Sequence, residues 1–195
     1  MTPTTQRAED YSHLSSTGQG LVARFRERLV ERAAAGSPGS VLEVGCGQGW
    51  LTRQLLEALP DARVVGLDIR EDAIAFAREL VPGAEFLVAT GEQLPFGDAS
   101  FDLVVCSEVL EHVDDPRVVL DEIRRVWRGH AVISVPHEPW FWGANLARGK
   151  YLRTLGNCPG HIHHWSGRGF ERLLRERFDT VDVTTSFPWL VADVR

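Results

Sequence analysis

Three glycines at alternate positions have the spacing of a ligand-binding turn. Gly45, Gly47 and Gly49 follow the apolar stretch 41–44 and precede a helical pattern. Because glycine has no Cβ, it permits a tight turn and lets a ligand approach bare backbone. A helix that begins at such a turn offers unpaired N–H groups and the positive end of its dipole. Plain structural turns share this spacing, so the neighbouring residues must decide between a turn and a nucleotide-like ligand site.

Two acidic residues lie near the turn. Asp68 ends the second strand-like stretch, where a carboxylate can accept hydrogen bonds from both ribose hydroxyls of an adenosine. The alternative is that Asp68 only caps the helix that follows. Glu43 lies within an apolar strand pattern, and burying a carboxylate without a partner is costly. We therefore expect Glu43 to be bonded either to the backbone of the glycine turn or to a ligand.

Strand and helix patterns alternate around these residues. Strand patterns cover 41–44, 63–67, 85–89, 101–106 and 131–135, and helical patterns cover 18–35, 50–59, 71–80 and 116–127. Pro60 and Pro82 end two of the helices, and Pro116 suits the first position of another. Strands that alternate with helices predict a parallel sheet with helices on both faces.

The carboxyl-terminal part departs from this alternation. A helix is predicted over 167–177, and strand-like stretches follow at 180–185 and 189–194. The link 186–188 between them is so short that it permits only an antiparallel pair. We therefore predict one α/β domain over 1–195, with an open, mainly parallel seven-stranded sheet that ends in an antiparallel hairpin.

Four segments within 41–135 resemble one family when they are taken in order. They are the glycine turn and the stretches 65–69, 93–96 and 101–113. Together they resemble the class I S-adenosylmethionine-dependent methyltransferases, in particular the methyltransferase type 11 group related to the ubiquinone and menaquinone methyltransferases. The resemblance implies a Rossmann-like fold, S-adenosylmethionine as cofactor and S-adenosylhomocysteine as product. The rival interpretation, NAD binding, is disfavoured by the stretch 93–113 and by the antiparallel ending.

The resemblance also implies which residues hold the cofactor. The glycine turn would face its methionine part, Asp68 its ribose and Ile69 its adenine. The whole predicted set is Glu43, Gly45, Gly47, Gly49, Asp68, Ile69, Thr90, Gly91, Glu92 and Ser107. Relatives commonly have Asp at the position of Thr90, where it accepts from the adenine amino group. Here Thr90 or Glu92 must substitute, or that contact is absent.

Residues after the fourth and fifth strands are candidates for chemistry, because ligands of open α/β sheets bind beyond the carboxyl ends of the strands. Glu108, Glu111 and His112 follow the fourth strand, and 136–142 follows the fifth. A histidine near its reference pKa of about 6.5 can take a proton from a methyl acceptor. We predict His137 and His112 as catalytic residues; the alternatives are a loop histidine and a structural hydrogen-bonding histidine, respectively.

The histidines within 161–164 raise the question of a metal. His161, His163 and His164 could bind a metal, and the pattern at 108–112 could supply Glu108, Glu111 and His112 as further ligands. A similar Glu-x-x-Glu-His pattern with a distant His occurs in small-RNA 2′-O-methyltransferases. The surrounding sequence does not match that family closely and the chain is acidic, so we predict no metal ligand. Metal-assisted RNA methylation is kept as the alternative enzyme.

The stretch 137–165 carries much of the aromatic and histidine content and little strand pattern. We predict an insertion that covers the substrate. Within it, 140–153 mixes large apolar and basic residues, which would suit peripheral contact with a membrane. The same mixture would suit a pocket for an aromatic or anionic acceptor, or simple packing of the insertion on the sheet.

The predicted function is transfer of the methyl group of S-adenosylmethionine to an O, N or C atom of a small-molecule or lipid-like acceptor. A third hypothesis is a non-catalytic cofactor-binding subunit that binds a partner protein. A base-lined pocket would favour an enzyme, whereas a pocket filled by Trp140 or Trp142 would favour the non-catalytic subunit.

Composition agrees with an ordinary globular domain. The chain has 195 residues and a formal net charge of −6, which argues against a general nucleic-acid binder because such proteins usually carry a basic face. No apolar run approaches the roughly 20 residues that span a bilayer, and 1–16 lacks the apolar core of a signal peptide. Three cysteines are too few for a disulfide scaffold. We predict a cytoplasmic protein with a loosely ordered stretch 1–17.

Overall fold

Every predicted strand pattern forms a strand. The computed structural model describes residues 16–147, 149 and 151–195. Its strands are β1 (Ser40–Val44), β2 (Arg63–Asp68), β3 (Glu85–Val88), β4 (Leu103–Ser107), β5 (Ala131–Pro136), β6 (Val181–Ser186) and β7 (Trp189–Val194). They form one sheet in the order β3-β2-β1-β4-β5-β7-β6. Neighbours from β3 to β5 are parallel, whereas β7 is antiparallel to β5 and β6. The predicted sheet and its closing hairpin are confirmed.

Among the described helices, all except the fifth begin and end close to predicted positions. The helices are α1 (Ser16–Ala34), α2 (Trp50–Ala58), α3 (Glu71–Leu80), α4 (Pro116–Val126), α5 (Trp140–Ala147) and α6 (Gly167–Arg175), with a 3₁₀ turn at Leu152–Thr154. Asp115 caps α4 by accepting from the Arg117 N–H at 2.9 Å, and Pro116 occupies the first turn as predicted. The stretch 1–17 was predicted to be loosely ordered, and residues 1–15 of it lie outside the described residues.

Side chains of each central strand alternate between two apolar layers. In β4, Leu103 and Val105 pack in one layer with residues of α1 and α2. Val104 and Cys106 pack in the other with residues of α4 and α6. This alternation has the two-residue period of a strand. Because helices cover both faces, the strands are apolar at nearly every position, as in other parallel sheets.

The strand order places the site. From β1 the chain moves outward to β2 and β3, and then crosses back to β4 and β5 on the other side of β1. Ligands of open α/β sheets bind beyond the carboxyl ends of the strands at such a reversal. The crevice between the ends of β1 and β4 is therefore the candidate site.

The stretch 137–165 contains a helix that the sequence analysis did not predict. This helix, α5, is followed by a return of the chain toward the loop after β4. The N–H of Glu138 donates to the Trp165 carbonyl at 2.9 Å, and the N–H of Ile162 donates to the Glu111 carbonyl at 2.9 Å. The insertion is thus tied both to itself and to the loop after β4.

Across the part of the chain that the structure describes, none of the helices combines the length and apolar character needed to cross a membrane.

Candidate functional site

The glycine turn has a backbone that only glycine adopts easily. Gly45, Gly47 and Gly49 have φ values of 76°, 53° and 80°, in the left-handed region. A Cβ at Gly45 would overlap the Cγ2 methyl of Val109, which follows β4. At Gly47 the nearest atom to such a Cβ is a terminal nitrogen of Arg70, 4.0 Å away. Gly45 is therefore needed for close packing, whereas Gly47 presents bare backbone with room beside it.

Asp68 lies at the end of β2 and holds the turn. One carboxylate oxygen accepts from the N–H of Gly47 at 2.9 Å. The other accepts from the N–H of Arg70, the residue that caps α3, also at 2.9 Å. The capping alternative is therefore part of its role. Each oxygen keeps further acceptor capacity, and 12% of the side chain is exposed, so the ribose role stays a prediction that this geometry accommodates.

Glu43 is buried in β1 and is bonded to α2. The Thr52 hydroxyl donates to its Oε2 at 2.5 Å. We expected the glycine-turn backbone or a ligand as the partner, and Thr52 was not considered although it lies in the first turn of α2. Burial raises the pKa of Glu43 to about 7. The pair joins the two elements on either side of the turn, and direct contact between Glu43 and the cofactor stays a prediction.

Replacing Glu43 by glutamine should flatten the dependence of stability on pH. Between about pH 4.5 and 7 the folded Glu43 holds a proton that the unfolded chain has released, so wild-type stability falls as pH rises. The raised pKa of Glu43, about 7, corresponds to a loss of up to about 3 kcal/mol over this range. Urea unfolding of the wild type and Glu43→Gln at several pH values measures the difference.

The matched control for this measurement is Glu57→Gln. Glu57 lies on α2 with an exposed carboxylate, so this variant should keep the wild-type slope. Equal slopes for the wild type and Glu43→Gln would show that Glu43 is ionised throughout, contrary to its burial.

The predicted adenine contacts follow β2 and β3, which are neighbours in the sheet. The Ile69 side chain is 70% exposed, and its packing on the adenine stays a prediction. The Thr90 hydroxyl lies 3.3 Å from a carboxylate oxygen of Glu92 and accepts from the Glu92 N–H at 3.2 Å. Gly91 is buried, and a Cβ there would lie 3.1 Å from Val44. Thr90 and Glu92 therefore offer one joined group of acceptors where relatives commonly have Asp.

The end of β4 carries Ser107 and Glu108. Ser107 Oγ accepts from the hydroxyl of Ser134 on β5 at 2.9 Å. Glu108 has a φ of 58°, and its Oε2 accepts from the indole N–H of Trp189 at 2.8 Å. Its sequence position predicts Trp189 only as a strand residue, whereas its indole orients Glu108, the first acidic residue after β4.

His161 lies beside Glu111 and His112, although about fifty residues separate it from this adjacent pair in the chain. One ligand atom from each lies within 4.8 Å of the others. Glu111 is fully buried, and the two imidazole centroids are 4.9 Å apart. Burial and the neighbouring His112 and His164 lower the pKa of His161 to about 4. The imidazole of His161 is therefore neutral at physiological pH.

The other two histidines of this segment have different surroundings. His163 Nε2 donates to the carbonyl of Val113 at 2.9 Å, so this side chain ties the insertion to the loop after β4. His164 packs edge-on against Trp142, with ring centroids 5.0 Å apart. The histidines that we considered together as a metal cluster therefore separate, and His161 joins Glu111 and His112.

His137 and Glu138 follow β5, next to β4 in the sheet. Burial lowers the pKa of His137, which favours the neutral imidazole that a base requires. Glu138 is buried; its Oε2 accepts from the Trp142 N–H at 3.1 Å, and burial raises its pKa to about 7. The sequence analysis did not single out Glu138, because no periodic pattern in the insertion signals its burial.

Comparison with known proteins agrees with the predicted resemblance to methyltransferases. Residues 42–135 match the family described as a methyltransferase domain. A malonyl-[acyl-carrier protein] O-methyltransferase of Hahella chejuensis is 34% identical over 126 residues, which cover 62% of this chain and 45% of that protein. A ubiquinone biosynthesis O-methyltransferase of the same organism is 42% identical over 146 residues, covering 70% and 59%. The chain spans about half the length of these curated relatives.

A solved methyltransferase structure has a similar fold. The plantazolicin methyltransferase BpumL, solved in complex with S-adenosylhomocysteine, has a TM-score of 0.71 at 15% identity and covers 95% of this chain and 91% of that chain. The sheet order, with its reversed seventh strand, defines the class I methyltransferase fold. Residues 42–135 form a class I S-adenosylmethionine-dependent methyltransferase domain, as the sequence resemblance predicted.

The described residues fit the cofactor of this family. The bare backbone at Gly47 leaves room for a ligand. The Asp68 carboxylate keeps acceptor capacity at the adjoining strand end, and the exposed Ile69 offers an apolar surface. These three features are those that a nucleoside with an attached charged chain requires.

Proposed function

We propose that this chain transfers a methyl group from S-adenosylmethionine to an oxygen of a small-molecule or lipid-like acceptor. One observation carries the proposal. The glycine turn and Asp68 lie at the same edge of the sheet as the imidazole and carboxyl groups that follow β4 and β5. Cofactor-holding and proton-accepting groups thus border one crevice. When bound, S-adenosylmethionine supplies an electrophilic methyl carbon on its sulfonium.

The chain contributes positioning, exclusion of water and a base. His137 emerges directly from the end of β5 and its pKa is lowered, so its neutral imidazole can accept the proton of an acceptor hydroxyl at pH 7. The insertion 137–165 would cover the acceptor and limit access of water. Orienting the two reactants accounts for much of the rate enhancement in a displacement of this kind.

An acceptor with an apolar body suits the surface of the insertion. Six large apolar side chains between positions 140 and 162 are exposed: Trp140, Leu146, Tyr151, Leu152, Leu155 and Ile162. One curated relative from Hahella chejuensis is named a malonyl-[acyl-carrier protein] O-methyltransferase. The other is named a ubiquinone biosynthesis O-methyltransferase. The exposed apolar side chains support a substrate with an apolar part, and the relatives' names support oxygen as the methylated atom.

The arrangement of the tryptophans favours an enzyme over a non-catalytic subunit. Trp140 is 55% exposed, and Trp142 packs against His164. Phe141 packs against Trp189 and His161. Among the described residues, Trp142 thus packs within the insertion and Trp140 is mostly exposed, which is not expected of side chains that plug the crevice between β1 and β4.

Replacing His137 by glutamine should lower the turnover rate by about 10²–10⁴-fold, the usual contribution of a general base, and leave cofactor affinity unchanged. The assay measures S-adenosylhomocysteine formed with an alkyl catechol, an alkyl phenol and a long-chain fatty acid. His164→Gln is the matched control, since His164 is an exposed histidine of the same insertion. A rate for His137→Gln within twofold of the wild type would exclude the base, and no product with any of the three acceptors would contradict the proposed function.

A further inference from the structure

We propose that Glu111, His112 and His161 bind a divalent transition-metal ion of the zinc class, which holds an oxygen of the methyl acceptor. From the sequence we predicted no metal ligand, because the surrounding residues do not closely match the small-RNA 2′-O-methyltransferases and the chain is acidic. The role toward the acceptor rests on the proposed function. Binding of the metal ion itself is independent of the proposed function.

The distances are suitable for a single ion. One ligand atom of each residue lies within 4.8 Å of the other two. Ligand atoms about 2.0–2.1 Å from a tetrahedral zinc lie roughly 3.4 Å from one another. The two spacings differ by at most about 1.4 Å, a distance that side-chain rotations can close.

The donor set selects the kind of ion. Two imidazoles and one carboxylate suit zinc, iron, cobalt or nickel, whereas magnesium and calcium prefer oxygen ligands. Three protein ligands leave a fourth position open, as in catalytic zinc sites and unlike closed structural ones. Glu111 is fully buried, so a cation beside it would offset the free energy that burying its charge requires.

The hydrogen bonds of the two imidazoles agree with metal binding. His112 Nδ1 lies 3.0 Å from the Gly160 carbonyl oxygen. Because a carbonyl can only accept, Nδ1 carries the proton and Nε2 presents a lone pair. Metal-bound histidines typically have their other ring nitrogen fixed in this way. His161 Nδ1 is buried and has no hydrogen-bond partner among the described residues, which is unusual for a buried polar atom and is explained by a ligand role.

The backbone on both sides of the trio is held in place. The N–H of Ile162, next to His161, donates to the carbonyl of Glu111 at 2.9 Å. His163 adds its side-chain bond to the Val113 carbonyl. The insertion and the loop after β4 are thus joined at the residues that flank the ligands. Such support from neighbouring groups is what a metal site of defined geometry needs.

The test is titration of the chelator-treated chain with Zn²⁺ and with Co²⁺, followed by calorimetry and by the visible absorption of Co²⁺. We expect about one ion per chain and Co²⁺ bands typical of nitrogen and oxygen ligands. His161→Gln should weaken binding by more than the about 10–100-fold that loss of a supporting residue alone causes. His112→Gln should do the same, and circular dichroism checks that both variants fold.

His164→Gln is the control, because His164 belongs to the same segment but lies against Trp142. This variant should bind the ion like the wild type. Absence of stoichiometric binding to the wild type, or equal loss in His161→Gln and His164→Gln, would overturn the site.

Methyl transfer measured before and after removal of the metal separates this inference from the proposed function. Loss of transfer that Zn²⁺ restores supports the role toward the acceptor. Full transfer by the metal-free chain would overturn that role even if the ion binds. Stoichiometric ion binding without any methyl transfer would preserve the site and contradict the proposed function.

Discussion

Replacing Asp68 by alanine should abolish the thermal stabilisation that S-adenosylmethionine gives the wild-type chain. Cofactor at about 100 times its Kd stabilises a protein by about 2.7 kcal/mol, which corresponds to roughly 5–10 °C for a domain of this size. The carboxylate that joins the glycine turn to the end of β2 is absent from Asp68→Ala. Both the ribose acceptor and the shape of the turn would be lost, so the expected shift is below about 1 °C.

Two further variants separate ribose binding from support of the turn. Asp68→Asn keeps one acceptor oxygen for a backbone N–H but loses the charge, so a reduced shift is expected. Asp72→Asn changes an exposed carboxylate in the first turn of α3 and should keep the full shift. Scanning fluorimetry with increasing cofactor measures all three. A wild-type chain that millimolar S-adenosylmethionine does not stabilise would defeat the assignment of the cofactor site.

Replacing Gly45 by alanine should destabilise the fold by about 2–5 kcal/mol. The positive φ of 76° at this position costs an L-residue about 1–2 kcal/mol. Overlap of the new Cβ with Val109 adds an overpacking penalty of about 1–3 kcal/mol. Urea unfolding of the wild type and the variant measures the loss.

Gly47→Ala and the double variant Gly45→Ala/Val109→Ala divide this loss into its causes. Gly47 has a similar positive φ, but the space beside it is open. Gly47→Ala should therefore show only the backbone part, about 1–2 kcal/mol, together with weaker cofactor binding. The double variant should be more stable than the sum of its single variants predicts, because the overlap is removed. Equal destabilisation by Gly45→Ala and Gly47→Ala would mean that Val109 yields without strain.

The sheet and most helices were predictable because their signals are local. Each central strand is buried on both faces, so it appears as a continuous apolar run such as 103–106. Proline and glycine mark several of the boundaries, as Pro116 does at the start of α4. The hairpin followed from the short link 186–188, which leaves no room for a crossover.

The helix α5 was not predictable by the same means. Its residues, Trp140 to Ala147, are apolar almost throughout, so they lack the alternation of apolar and polar positions that identifies an amphipathic helix. Burial of Glu138 beside it has no sequence signal either. The pKa of Glu138 is raised to about 7 because the packing of the insertion buries its carboxyl group.

Part of the cofactor site was determined by the sequence and part by the sheet. Glycine spacing after β1 and an acid after β2 predicted the two groups separately. Parallel pairing of β1 with β2 then brings the backbone nitrogen of Gly47 to 2.9 Å from the Asp68 carboxylate. Parallel strands align their carboxyl ends, so the meeting of these residues follows from the predicted topology. Thr52, the partner of Glu43, depends on how α2 packs on the sheet.

The sequence by itself determined the fold and the resemblance to the family, and it predicted the residues proposed to hold the cofactor, because strand burial, turn chemistry and motif order are properties of neighbouring residues. Tertiary structure alone decided which side chains meet at the proposed acceptor site. It selected His161 over His163 and His164 as the neighbour of Glu111 and His112, and it set Trp189 against Glu108. The physical reason is that these contacts depend on the path of an insertion without periodic pattern, which packing and backbone hydrogen bonds to the loop after β4 define.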